Sequence, residues 1–194
     1  IESGAAIIHA AAESASSLMA NPPAVFPVAV PMSLREDPRL DRTVGMFLNT
    51  LPVPVRLDLP DIEESLKKTR RSLRDVRRRR AVPLERLVAS HAPQRVDERT
   101  PWLDLMVGVV DRPLPNSEII ESEVWPSPDS ASPVLVIARR NNDAEIEFRI
   151  QHDSRFVDHE AIEKFADHLI DQLLRVGREE AGDASSSLMV GRVS

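Results

Sequence analysis

His9, His91, His152, His159 and His168 are the side chains of this sequence best suited to move protons near neutral pH. One of them has company, because His152, Asp153 and Asp158 lie close together in the chain. A carboxylate near an imidazole can orient it as a general base or act as an acid itself. The same three residues, however, close an apolar strand pattern and open an amphipathic helix pattern, where turns and caps call for polar side chains anyway. Capping is therefore the expected role, with Asp158 as the cap. Other chemistry is poorly supplied: the sequence holds no glycine-rich phosphate loop, no His-Glu-x-x-His and no Gly-x-Ser-x-Gly. The lack of cysteine excludes thiolate nucleophiles, cysteine-ligated metals and disulfides. No directly bound metal or cofactor is expected.

A chain of 194 residues, 42% of them hydrophobic, suits one compact α/β domain with one core. Its formal charge of -6 is modest and gives no reason to expect nucleic acid. Arg77 to Arg80 make a local basic run, read as a solvated helix end whose cations suit the helix dipole. Ile1 to Ala20 is rich in alanine and isoleucine but carries Glu2, His9 and Glu13, and it lacks both a basic leader and an apolar run of membrane length. A buried helix is expected there, with no membrane contact. Opening at Ile1 amid such a pattern, the chain is expected to be a piece of something longer. Nothing calls for an oxidising compartment, so the cytoplasm is the expected location.

Sixteen prolines and six glycines punctuate the remainder. Val25 to Val30 reads as a buried strand interrupted at Pro27, and Leu51 to Leu57 alternates like an edge strand that tolerates proline. Asp61 with Glu64 forms the capping box of a helix running to about Arg79, with Ile62, Leu66, Leu73 and Val76 on one face. Pro83 stops it, and a short helix from Leu84 to Ser90 precedes a loop from His91 to Thr100. Strands are expected at Leu103 to Val110, Glu118 to Trp125, Val134 to Arg139 and Glu145 to Gln151, with a hairpin turn at Asn141-Asn142-Asp143. A last helix from Asp158 puts Ile162, Phe165, Leu169, Leu173 and Val176 on one face and ends near Gly177. Residues 179–194, rich in Gly, Ala and Ser, read as a flexible tail or linker.

Val44-Gly45-Met46-Phe47-Leu48-Asn49-Thr50-Leu51-Pro52 resembles a motif of nonribosomal peptide synthetase condensation domains, Val/Ile-Gly-x-Phe-Val-Asn-Thr followed by Leu-Pro-Leu-Arg. Upstream, Val28 to Arg35 resembles the family's strand ending in Ser-Gly-Arg, with Ser33 and Arg35 kept and Leu34 in place of glycine. Downstream, Val82-Pro83-Leu84-Glu85-Arg86-Leu87-Val88 resembles Tyr-Pro-Phe-Glu-Arg-Leu-Val, although Arg79-Arg80-Ala81 replaces the preceding His-Gln-Asp. Arg95, Arg99 and Pro101 match a third family segment, from which Val96, Glu98 and Thr100 depart. Asp153, Phe156 and the helix from Asp158 resemble the closing segment.

The resemblance implies a chloramphenicol acetyltransferase-like fold in which two lobes form a V around a tunnel, and it makes residues 1–178 the C-terminal lobe, a mixed β-sheet flanked by helices. It also implies amide bond formation between a donor and an acceptor carried on the phosphopantetheine of carrier proteins. The family's His-His-x-x-x-Asp-Gly belongs to the other lobe and is matched by none of the five histidines, so no residue here is expected to be catalytic and the chain alone is expected to be inactive. Gly45 to Thr50 would be the loop flooring the tunnel or its entry. Asn49 and Thr50 would stand near the tunnel, or else satisfy backbone groups in a proline-rich turn. Ser33 would be an acceptor-side tunnel residue, while Met46 and Phe47 are expected in the core. The implied partners are the N-terminal lobe, peptidyl carrier proteins and an adjacent adenylation domain. A degenerate domain that recruits partners without catalysis is the alternative, favoured by Pro54 standing where the family has arginine.

Overall fold

Proline spacing decides how the first two strands can pair. In the computed structural model, which describes residues 2–35, 38–40, 42–91, 100–110, 132–140, 145–181 and 189–190, strand β1 (Val25–Ser33) runs through Pro27 without a break and pairs antiparallel with β2 (Leu48–Arg56). Pro27 faces Pro54, Ala29 faces Pro52 and Pro31 faces Thr50. The same ladder extends to Leu57 N–H donating to Ala24 C=O and Leu34 N–H donating to Phe47 C=O. Even-numbered residues of β1 therefore occupy the hydrogen-bonded pairs, and Pro27, Pro31, Pro52 and Pro54 all fall in the non-hydrogen-bonded ones. There the missing N–H would point away from the partner strand, so the interruption expected at Pro27 does not occur. β2 is an edge strand, as its proline content foretells.

The sheet has the order β2-β1-β3-β4-β5-β6, completed by β3 (Leu105–Val110), β4 (Val134–Arg140), β5 (Glu145–His152) and the short β6 (Met189–Val190). β3 runs parallel to β1 and β4, β5 antiparallel to β4, and β6 parallel to β5, which makes the sheet mixed, as the resemblance implies. The seam between β1 and β3 is registered only at Ala29 and Met106. Pro27 and Pro31 explain that sparsity, since each would otherwise offer its N–H toward β3.

Alternation puts Phe26, Val28 and Val30 on the same face as Val53, Val107, Val136 and Phe148, all buried. Helix α1 (Glu2–Ser17) crosses that face and packs also against α2 (Ile62–Arg78) and α4 (His159–Ala181). Its Ile7, Ile8, Ala10, Ala11 and Ala12 belong to the main core, and Ala6 meets Ile62, Leu66 and Val176 where the three helices converge. Each large aliphatic side chain buried in this way contributes about 1.5 to 3 kcal/mol. α3 (Leu84–His91) packs near β2.

Several sequence expectations are corrected in detail. Asp61 caps α2 by accepting from the Glu63 N–H at 3.0 Å, but Glu64 turns toward Lys68 at 3.9 Å instead of closing a capping box. α4 continues past Gly177 to Ala181, because a glycine on a well-packed helix costs only about 1 kcal/mol relative to alanine. Beyond it, β6 adds to the sheet inside the segment expected as a tail. The strand expected at Glu118 to Trp125, the hairpin turn at 141–143 and the residues Arg95, Val96, Glu98 and Arg99 lie outside the described residues.

Candidate functional site: a cleft at the ends of β1 and β3

Parallel neighbours end together, and where β1 and β3 end a cleft of about 370 Å³ opens. Val30, Pro31, Met32 and Ser33 come to it from β1, Gly108 to Val110 from β3, and Leu48 from the start of β2. Ile8 of α1 with Leu73 and Arg77 of α2 close the helical side. The lining is mostly apolar, with Ser33 and Arg77 as its polar members. Ser33 is exposed, and its hydroxyl oxygen accepts from the Arg35 N–H at 3.1 Å, which leaves the hydroxyl proton available to a ligand.

Arg35 organises the loop beside the cleft and is not among the site residues expected from the sequence. Its guanidinium donates to the carbonyls of Leu40, of Thr43 at 2.9 Å and of Gly45 at 3.0 Å. It also lies 4.4 Å from the centre of the Phe47 ring, a cation–π contact. One planar, five-donor side chain thus holds a segment whose described residues have only the short 3-10 turn Pro38–Leu40 of their own. The signal was present, since Arg35 is part of the family resemblance. Glycine is favoured at position 45 by its φ of 155°, and an added Cβ would come within 3.2 Å of the Phe47 ring, a tight contact.

The sequence-derived site residues do not form one loop. Gly45 and Met46 precede β2, whereas Asn49 and Thr50 lie within it, paired with Met32 and Pro31. The segment before β2 therefore ends at Phe47, and the proline-rich turn expected around Asn49 is a strand. Asn49 still satisfies backbone groups, but distant ones: its amide donates to the carbonyls of Arg80 and Val82, both at 2.7 Å, tying β2 to the end of α2. Thr50 points to the opposite face of the sheet, alongside Pro31. Met46 is 89% exposed and Val44 wholly so, which corrects the expectation of a core methionine. Phe47 is half-buried beneath Arg35.

The acid and base cluster near His152 serves the fold. Asp153 is held to a pKa of about 2, first by side-chain hydrogen bonds from Arg155 at 3.0 and 2.5 Å and then by the Arg155 N–H. A carboxylate so fixed in its ionised form is no general acid at neutral pH. Asp158 accepts from the Ala161 N–H at 2.7 Å and so caps α4, while the His152 and His159 rings stack at 6.1 Å. His9 is fully buried between helices, with Nδ1 3.3 Å from the Thr69 hydroxyl and Nε2 3.5 Å from Glu13. At that distance the second contact is longer than an ordinary hydrogen bond. Among the described residues no group of three metal-binding side chains occurs, and no helix is long and apolar enough to cross a membrane.

Comparison with known proteins agrees with this fold. The chain belongs to the condensation-domain family, which matches residues 24–190. It is 24% identical over 159 residues to a malpinin synthetase from Mortierella alpina, a match that takes in 79% of this chain and 2% of the synthetase. The X-domain from teicoplanin biosynthesis superposes with a TM-score of 0.71 at 17% identity, over 90% of this chain and 41% of that one. A complex of that X-domain with OxyB gives a TM-score of 0.69 at 18% identity, over 96% of this chain and 43% of the other. The chain thus spans less than half the length of these relatives.

Proposed function

We propose that this chain is the C-terminal lobe of a condensation domain in a cytoplasmic peptide synthetase, supplying one wall and the floor of the substrate tunnel. The observation that carries this reading is the apolar cleft at the ends of β1 and β3, bordered by the loop that Arg35 fastens. A cleft lined by Leu48, Val30 and Val109, with Ser33 and Arg77 as polar groups, suits an acyl chain on a phosphopantetheine arm. The substrates would arrive on carrier proteins. In amide formation the acceptor amine attacks the donor thioester carbonyl, the carbon–sulfur bond breaks, and the amine proton passes to a base as the thiol leaves. That base is the task of the His-His-x-x-x-Asp-Gly lobe, and the present residues hold and align the two arms. Co-expression with such an N-terminal lobe, then incubation with carrier-loaded donor and acceptor, should yield amide only when both lobes are present. Amide formed above background by this chain alone would overturn the reading.

A second reading is a condensation-like lobe that recruits a partner without catalysis. It is favoured by the likeness to an X-domain solved with OxyB, and by Pro54 and Arg79-Arg80-Ala81 standing where the family has other residues. Under it, the two-lobed assembly binds its partner yet forms no amide.

A further inference from the structure

Helix α2 carries more positive charge than its place in the fold requires. Between Lys67 and Arg80 stand nine lysines and arginines against one acid, Asp75, so this segment bears +8 and the remainder of a chain of net -6 bears -14. The helix dipole accounts for cations in the last turn, Arg77 and Arg78, but not for Lys67, Lys68, Arg71 and Arg74 in the middle of the helix. Lys67 with Arg71, and Arg74 with Arg78, are four residues apart, where like charges weaken a helix. Local pairing relieves part of this, as between Lys68 and Glu64 at 3.9 Å and between Arg71 and Asp75 at 4.0 Å, and Arg70 and Arg80 have partners too. The side chains of Lys67, Arg74 and Arg78 make no ion pair among the described residues. A repulsive strip maintained on an exposed face calls for a compensating anion from outside.

The form of the strip says what kind of anion. It lies opposite the buried Ile62, Ser65, Leu66 and Thr69, and its long side chains border an open trough of about 720 Å³. The N-terminal end of the same trough is acidic, with Asp61, Glu63 and Glu64. A uniform polyanion would be attracted at one end and repelled at the other. Duplex nucleic acid is further disfavoured by the -14 of the remaining chain, and a single strand by the absence of any aromatic side chain between Asp61 and Arg80 on which a base could stack.

We propose that the outer face of α2 docks an acidic helix of a partner protein, its acids over Lys67 to Arg78 and its own basic end over Asp61 to Glu64. Arg77 borders this face and also lines the cleft, so the partner sits beside the cleft mouth. The inference stands apart from the proposed reaction, because docking requires no step of amide formation.

The test uses synthetic helical peptides of about 20 residues, long enough to hold helix in water. One has a lysine block followed by a glutamate block, a second has the same composition scrambled, and a duplex of about 9 base pairs, close to the length of the peptide helix, serves as the nucleic-acid control. Each is titrated into the full chain by fluorescence anisotropy at about 50 and 200 mM salt. The ordered peptide should bind at least about tenfold more tightly than the scrambled one and weaken at the higher salt. The variant Arg71→Glu/Arg74→Glu/Arg78→Glu should lose about tenfold for it and gain affinity for a peptide in which lysines replace the glutamates. An unchanged circular dichroism spectrum shows that the variant is folded, and the milder Lys67→Gln/Arg74→Gln repeats the comparison should the triple change unfold. Equal binding of ordered and scrambled peptides, tighter binding of the duplex, or indifference to both variants would overturn the proposal.

Discussion

Helices α1 and α2 lie side by side, yet they meet their surroundings in opposite ways. α1 is enclosed by the sheet, α2 and α4, so alanines and isoleucines are buried nearly all round it, and His9 with them. α2 buries one narrow face and gives the rest to charge. A helix apolar on every side belongs in the middle of a layer, and one with a single apolar stripe belongs at its border. The two thus differ in what a substitution can disturb.

Truncating the buried stripe of α2 should have the largest effect. Leu66→Ala leaves a cavity where α1, α2 and α4 meet, at a cost of about 2 to 5 kcal/mol read from urea denaturation. An unchanged midpoint would mean that α2 contributes nothing to the core. On α1, Ala11→Leu should cost about 1 to 3 kcal/mol by overpacking, since no side of that helix can give way. If the variant were as stable as the parent, α1 would be less enclosed than described. Asn49→Ala removes the amide that reaches the end of α2 and leaves the Arg80 and Val82 carbonyls unpaired, at about 1 to 3 kcal/mol. In an assembly of both lobes its activity should fall in step with its stability. A stable variant that formed no amide would instead give Asn49 a direct substrate role.

Smaller effects distinguish the polar groups of the two helices. Contact with the His9 ring, against the opposing effect of burial and with lesser help from Arg175, holds the Glu13 carboxyl below its ordinary 4.5. The unfolded chain then takes up that proton more readily, so the contribution of Glu13 is complete above about pH 4.5 and is lost as the pH falls through its folded value. Glu13→Gln should therefore lose less stability than the parent between pH 6 and pH 3.5, as urea midpoints will show. Arg74→Ala, on the exposed strip of α2, should stay within about 0.5 kcal/mol of the parent. A larger loss would tie that strip to the fold and away from a partner.

What could be read from the sequence was what periodicity and caps encode. Ile62 and Leu66, or Ile162, Phe165 and Leu169, repeat at helical spacing and are buried as expected. Asp158 caps as its position suggested. The site was less legible because its parts come from segments distant in sequence. Ser33, Leu48, Val109 and Arg77 share a cleft only after β1, β2, β3 and α2 have been placed. Asn49 looked like a turn residue because prolines follow it, and nothing in one strand's sequence tells that those prolines sit in non-hydrogen-bonded pairs. Arg35 gave no sign that its three acceptors would be backbone carbonyls up to ten residues away.

The proline ladder has one more consequence. In β2, the groups not used by β1 point to the outer border of the sheet, and at Pro52 and Pro54 there is no N–H to present. A foreign extended segment approaching that border would find two consecutive donor positions empty and could not zip onto it. The first hairpin is thus protected against aggregation by the same residues that make its sequence look unlike a strand.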